Sequence, residues 1–313
     1  MKILVTGGAG FIGSHIVDHL IMNKYEVAVL DNLITGKEEN INPSSAFYRV
    51  DISDYKSLEK VFKIENPHCV IHHAAQTNVQ QSIVNPIFDA ETNILGTINL
   101  LRCCVKFETE KIVYASSAAV YGNPIYLGIT EEHTIEPLSF YGSSKQTPEQ
   151  YIKIYSDLYN LDYTILRYAN AYGIRQDPKG EGGVVSIFLD KLLDQKQPVI
   201  FGDGTQTRDF IYVEDIALAN MAAIHLGSRQ IVNISTNQPT SLLTLLDMMN
   251  EICGTKISPI FMDAKQGDIK TSYLNNRKAS QFLSWEPLYS LCQGLRFTAE
   301  YYRHLYSTQV AFS

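Results

Sequence analysis

Tyr141 and Lys145, in the stretch SFYGSSK (139–145), stand one helical turn apart. A free tyrosine has a pKa of about 10 and is a poor base at neutral pH. An ammonium one turn away favours the phenolate, so the pair has the makings of a tuned acid/base. It is the only Tyr-x-x-x-Lys in a chain with 19 tyrosines. Chance spacing is the bland alternative, and the elements around the pair must decide between the two.

Those elements alternate. Short apolar runs read as strands at 2–6, 26–31, 46–51, 69–75, 111–117 and 162–170. Helical patterns lie between them, as in GSHIVDHLIM (13–22) and DAETNILGTINLLRCCVKF (89–107). Strand–helix alternation with near-continuous apolar strands predicts an α/β fold, a doubly wound parallel sheet of Rossmann type. After about residue 172 the texture changes. A polar, glycine-rich break at 173–183 precedes a helix VVSIFLDKLL and a mixed C-terminal stretch. The chain therefore reads as a nucleotide-type domain over 1–172, with a returning segment near 208–235, and a smaller mixed α/β substrate domain over 173–313. The cleft between them, at the carboxyl ends of the strands, is the default site. The terminal YSTQVAFS reads as a disordered tail.

Composition narrows the function classes. The 313 residues are 45% hydrophobic and 19% charged, ample for a large core. Net charge is -7 with no long basic run, which argues against nucleic acid or an anionic membrane as partner. No apolar run approaches the length of a membrane span, and the apolar N-terminus breaks into glycines too early for a signal peptide. Five scattered cysteines with no C-x-x-C fit a reducing cytoplasm. His72 and His73 sit in an apolar run without ligand-spaced partners, so they read as structural and no metal is expected.

The turn LVTGGAGFIGSH places Gly7, Gly10 and Gly13 between the first strand and a helix. Such glycines allow a tight turn and close approach of a pyrophosphate to the helix N-terminus. Asp31 ends the second strand, 18 residues after Gly13. A carboxylate there accepts hydrogen bonds from ribose hydroxyls and repels a 2′-phosphate, and no arginine adjoins it, which favours NAD over NADP. Asp51 closes the third strand; it reaches either the adenine or the N-cap of the next helix.

Taken together, the glycine turn, Asp31, SSAAVYG (116–122), FYGSSK and LRYANAYGIRQDP (166–178) resemble the extended short-chain dehydrogenase/reductase family. GDGTQTRDFIYVEDIA (202–217) and the segment 265–287 resemble its nucleotide-sugar branch, with the UDP-glucose (UDP-galactose) 4-epimerases the nearest pattern. The resemblance implies Tyr141 as base, Lys145 as its lysine and Ser117 as the partner of the reacting hydroxyl. It implies hydride transfer between the sugar C4 and tightly bound NAD through a 4-keto sugar. For the cofactor it implies Gly7, Gly10, Phe11, Ile12, Gly13, Asp31, Asn32, Gly36, Asp51, Ile52, Ala74, Ala75, Gln76, Asn93, Ser116, Tyr141, Lys145 and Tyr168. For a UDP-sugar it implies Thr77, Ser117, Tyr141, Asn170, Val184, Arg208, Lys265, Asp268 and Ser272.

Several positions carry the branch. Nucleotide-sugar dehydratases place Asp–Glu where this chain has Ala118 and Ala119, which cannot move protons. Arg208 matches a pyrophosphate arginine, with a surface ion pair to Asp203 or Asp209 as the alternative. Lys265 stands where the family often has arginine, and Thr77 where some members have lysine. Ser272 matches the sugar gate that is tyrosine in strict UDP-glucose epimerases and small where N-acetylated sugars are accepted; a shift by one would put Tyr273 there. A homodimer is implied through helices at about 89–107 and 145–159, whose apolar faces alternatively pack on the sheet. The rival readings are a UDP-glucuronate epimerase or decarboxylase, and a non-catalytic NAD-binding protein.

Overall fold

The computed structural model describes residues 1–179, 182–264 and 269–311; Lys265 and Asp268 lie outside the described residues. The chain opens with β1 (Lys2–Thr6), α1 (Phe11–Met22), β2 (Glu26–Asp31), β3 (Ala46–Arg49), α2 (Tyr55–Glu65) and β4 (Cys69–His72). Next come α3 (Val79–Val84), α4 (Pro86–Ala90), α5 (Gly96–Lys106), β5 (Lys111–Ser117), α6 (Phe140–Tyr159), β6 (Asp162–Tyr168) and β7 (Asn170–Tyr172). The remainder comprises α7 (Val184–Leu193), β8 (Val199–Phe201), β9 (Thr207–Tyr212), α8 (Val213–Ala223), β10 (Gln230–Ile234), β11 (Pro239–Ser241), α9 (Leu242–Cys253), β12 (Ile260–Met262), α10 (Arg277–Leu283) and α11 (Leu291–Ala311).

Seven strands form one parallel sheet in the order β3-β2-β1-β4-β5-β6-β10. The order reverses between β1 and β4, the switch point where such sheets open a crevice. Alternate strand residues serve opposite faces: Ile3, Val5, Val29 and Val113 join one buried cluster, while Leu4, Ala28, Leu30 and Ile112 join the other. Each fully buried aliphatic side chain contributes roughly 1.5–3 kcal/mol, so both helix layers are firmly held. A third cluster, from α7, α9, α11 and β9, forms the core of a second lobe around Phe188, Leu245 and Leu295. A small sheet of order β11-β9-β7 lies in this part of the molecule.

Several boundaries differ from the sequence reading. β3 ends at Arg49 because the chain turns at Asp51, whose carboxylate accepts from the Ser53 amide and hydroxyl. Asp54, not Asp51, caps α2, accepting from the amides of Lys56 and Ser57. β4 stops at His72, and Ala74–Gln76 leave the sheet to line the cleft. The run 162–170 is cut at Ala169, after which β7 pairs with β9 instead. The helix at 89–107 is interrupted by a π turn, Glu91–Leu95. α6 begins at Phe140 because Ser139 caps it through the Gly142 amide. The terminal stretch is helical through its described part: α11 continues to Ala311, and the Tyr306 hydroxyl donates to Asp190.

Candidate active site

A cleft of about 430 Å³ opens at the switch point. Its floor is the turn between β1 and α1. Gly7 has φ +71°, a conformation that favours glycine, and a Cβ there would lie 2.6 Å from the Ala74 nitrogen. A Cβ on Gly13 would lie 2.1 Å from the Gly7 carbonyl oxygen. The turn therefore presents bare backbone, and Gly10, the N-cap of α1, supplies no side-chain cap, leaving the first amides of the helix for an anion. Asp31 is buried at the end of β2, accepting from the amides of Ala9 and Leu33. Burial pushes its carboxyl up, partly countered by those two bonds. A buried carboxylate at that depth gains from hydroxyl donors, and a glycine cradle beside it suits a pyrophosphate. The residues fit a dinucleotide.

The opposite wall carries Tyr141 and Lys145, from the first turns of α6. The Tyr141 amide donates to Ser82 Oγ at 3.2 Å, tying the helix start to α3. Lys145 is 4% exposed, and its Nζ lies 4.9 Å from the centre of the Tyr114 ring. Burial lowers its pKa to about 8, against the pull of the Glu149 and Asp89 charges. A lysine near neutrality beside a cleft marks a candidate proton-handling site.

Of the expected cofactor residues, Gly7, Gly10, Phe11, Ile12, Gly13, Asp31, Asn32, Ile52, Ala74, Ala75, Gln76, Ser116, Tyr141, Lys145 and Tyr168 line this one cleft, joined by Thr77. Three others, Gly36, Asp51 and Asn93, stand one layer behind it or beside it, as does Ser117, the expected partner of the reacting hydroxyl. Gly36 packs on the Asp31 carboxylate, which a Cβ would approach to 2.7 Å. Asp51 accepts from Asn32 Nδ2 at 2.7 Å; burial opposes its ionisation, but bonds from Ser53 and Asn32 outweigh it and lower the pKa. Asn93, in the π turn, clasps Gln76: its Oδ1 accepts from the Gln76 amide at 2.8 Å and its Nδ2 donates to the Gln76 carbonyl at 2.9 Å. Ser117 ends β5, and its Oγ accepts from the Ala119 amide.

Of the expected substrate residues, Thr77 and Tyr141 line the cleft, whereas Asn170, Val184, Arg208 and Ser272 lie on the second lobe and are not among its lining residues. Asn170 on β7 pairs in register with Phe210 of β9, and its Nδ2 donates to the Asp209 carbonyl. Arg208 on β9 donates to the carbonyls of Thr207 at 2.8 Å and Ile269 at 2.6 Å. The Asp209 carboxylate is occupied by Thr236, Asn237 and Leu274 donors. The Ser272 amide donates to the Thr207 carbonyl at 3.3 Å, next to the bridge between Thr207 and Thr271, which places Ser272 beside Arg208. The Tyr273 ring lies near Gly128, 3.5 Å from where a Cβ would stand. Val184 is the first residue of α7, after Gly183.

Sequence reasoning missed part of the wall: Ile34, Thr35, Val50, His73, Gln81, Phe88 and Thr92 also line the cleft. His73 stacks on Tyr168, and its Nε2 lies 3.1 Å from the Tyr168 hydroxyl and 3.2 Å from Asn220 Oδ1. Burial lowers its pKa to about 4, so it is a neutral ring at working pH. His72 is enclosed between the hydroxyls of Thr6 and Thr97, which occupy both ring nitrogens. The signal for His73 is its place just past the strand end, beside the glycine turn.

Residues 3–235 match the model of the NAD dependent epimerase/dehydratase family. A Methanocaldococcus jannaschii protein described as a candidate UDP-glucose 4-epimerase is 50% identical, covering 94% of this chain and 96% of its own. The crystal structure of a UDP-glucose 4-epimerase from Thermotoga maritima with UDP-glucose matches with TM-score 0.96 and 42% identity, over 98% of this chain and 100% of that one. That of a Thermus thermophilus UDP-glucose 4-epimerase complexed with NAD matches with TM-score 0.91 and 39% identity, over 97% and 99%. With its family model spanning most of the chain and its glycine turn, Asp31 and Tyr141–Lys145 pair around one cleft, the protein belongs to the NAD dependent epimerase/dehydratase family.

Proposed function

We propose that the protein interconverts UDP-hexoses that differ in configuration at C4, UDP-glucose and UDP-galactose first, with NAD kept bound through turnover. One observation carries the reading: the Tyr141–Lys145 pair and the glycine–Asp31 cradle line the same cleft. NAD, when bound, supplies the hydride acceptor and donor. Asp31 would accept from its adenosine ribose, and the amides at the start of α1 would meet its pyrophosphate. The Tyr141 phenolate takes the proton of the sugar 4-hydroxyl and returns it after the keto sugar has turned over. The Lys145 ammonium favours that phenolate, and Ser117 Oγ hydrogen-bonds the same hydroxyl.

Arg208 would fork onto the UDP pyrophosphate, beside Asn170, Thr77 and the backbone at Val184. Lys265 and Asp268 complete the proposed substrate set. A serine at 272 leaves room for an acetamido group, so N-acetylated UDP-hexoses are proposed as further substrates. The chain is read as an NAD-binding unit over 1–172 with a return near 208–235, and a substrate unit mainly over 173–313. β10 in the large sheet and the separate core around Phe188 support that division.

A second copy of the chain is the proposed partner. Leu95 is exposed just before α5, as are Ile154 and Leu158 on α6, and light scattering would test the dimer. Among the described residues no helix is long and apolar enough to cross a membrane. A cytoplasmic location is proposed, supported by five free cysteines. The function is tested by incubating purified protein, without added cofactor, with UDP-glucose, UDP-N-acetylglucosamine or UDP-glucuronate and following the anomeric protons by NMR. Galacto-configured product from UDP-glucose, lost in Tyr141→Phe, is expected; no product from any hexose would refute it.

A further inference from the structure

Behind the cleft lies a buried charged network. Glu149 is 1% exposed and stands one turn after Lys145 on α6. Its Oε1 accepts from Ser116 Oγ at 2.6 Å and from Arg167 Nε at 3.0 Å. Its Oε2 accepts from Arg167 Nη2 at 2.6 Å. Arg167 is 2% exposed, and its Nη1 donates to the Tyr121 hydroxyl at 2.9 Å. That hydroxyl donates in turn to Asn233 Oδ1 on β10.

The carboxylate thus ties together α6, the end of β5 and β6. These carry Tyr141 and Lys145, Ser116–Ser117, and Tyr168. Ser116 and Ser117 point to opposite sides of the strand, so fixing the Ser116 hydroxyl on Glu149 fixes the direction of Ser117. Hydrophobic residues could join these elements more cheaply, since a buried ion pair is a weak source of stability. The network's charge therefore calls for a reason other than stability.

We propose that Glu149, backed by Arg167, is a positioning residue that locks the three elements bearing Ser117, Tyr141 and Lys145 and keeps the Lys145 side chain an ammonium. The proposal rests on reading Tyr141–Lys145 as the acid/base pair. The groups facing Lys145 leave few sources of negative charge. On its own helix these are Tyr141 and Glu149. Asp89 faces it from α4, Tyr114 from β5, and His72 and His73 from the end of β4. Burial keeps both histidines and Tyr114 neutral. Glu149 and Asp89 are left, and the Asp89 carboxylate accepts from Gln76 and Asn93.

Glu149→Gln keeps the shape and removes the charge. Residues at i,i+4 have Cβ atoms about 6 Å apart, and two charges at a similar separation in an effective dielectric of about 20 interact by roughly two pH units. Arg167 is charged in both proteins and cancels from the difference, so we expect Lys145 to lose its proton up to about two pH units lower than in the wild type. The readout is the ¹⁵N NMR titration of the Lys145 amine, assigned with Lys145→Met, which needs no turnover. The alkaline limb of kcat/KM for UDP-galactose should move in the same direction.

Glu149→Asp retains the charge and should hold the titration near its wild-type position. If Glu149→Gln does not fold, the neutral pair Glu149→Gln with Arg167→Met leaves no buried charge unpaired and should move the titration down by a smaller amount. A Lys145 titration unmoved in the folded variants, with activity merely reduced, would overturn the proposal and leave Glu149 a structural residue. A wild type inactive on every UDP-hexose would refute the proposed function instead, while the Lys145 titration would still decide the role of Glu149.

Discussion

Lys145 should make the empty cleft less stable than it could be. Its amine is held at about 8 against an ordinary 10.5, so the folded chain carries a buried ammonium at a cost. At 1.36 kcal/mol for each pH unit, that cost is about 3 kcal/mol at pH 7. Lys145→Met fills nearly the same space without the charge and should be more stable than the wild type by about that amount. For a chain of this length the unfolding entropy makes this a rise of about 5 °C in Tm.

The pH dependence has a definite sign. The folded pKa lies below the unfolded one, so the wild type binds fewer protons when folded. Its penalty is full below about pH 8 and fades as pH rises towards 10.5. The advantage of Lys145→Met should shrink over that window. The assay is thermal unfolding of nucleotide-free protein at pH 7 and near pH 10, beside activity, which the variant should lose. A variant no more stable at pH 7, or one whose advantage does not vary with pH, would refute the reasoning.

Gly13→Ala places a Cβ 2.1 Å from the Gly7 carbonyl, so purified protein should carry little NAD and unfold with at least about 2 kcal/mol less stability; bound nucleotide per chain measures it. Asp31→Ala removes the ribose acceptor, worth about 1.5–3 kcal/mol for a charged hydrogen bond, and NAD affinity should fall roughly 10- to 100-fold while discrimination against NADP narrows. Glu214 is held near 2: burial opposes its ionisation, but bonds from His15 at 2.6 Å and His19 at 2.5 Å outweigh it. Its stabilisation is present above about pH 4.5 and is lost as pH falls towards 2. Glu214→Gln should cost about 3 kcal/mol at neutral pH, with a difference that closes in acid unfolding curves.

The strands and the cofactor turn were legible because their signals are local. Apolar runs, glycine spacing and a strand-end carboxylate follow from a few adjacent residues, and β1, β2 and α7 fall where the pattern put them. The buried network was not legible. Glu149, Arg167 and Ser116 come together only through packing of α6 on β5 and β6, and no spacing announces it. The π turn at Glu91–Leu95 was hidden for the same reason: its pattern reads as one continuous helix, and the clasp of Asn93 on Gln76 is a tertiary contact. His73 reads only as structural in the sequence because an apolar run with two histidines looks like core, and only the switch point brings it to the cleft. Arg208 and Ser272 are neighbours through the bridge of Thr207 on β9 to Thr271, which sequence distance conceals.

In the proposed reaction this cleft takes a hydride from C4 of the sugar and gives it back to the same carbon. The most direct test uses UDP-galactose deuterated at C4, incubated with purified protein without added cofactor, and reads the deuterium content of the UDP-glucose formed. Deuterium retained at C4, with none lost to water, is the predicted result. Product carrying solvent hydrogen at C4 would contradict the account, because the proton-transfer route it requires would bypass the cofactor cradle altogether.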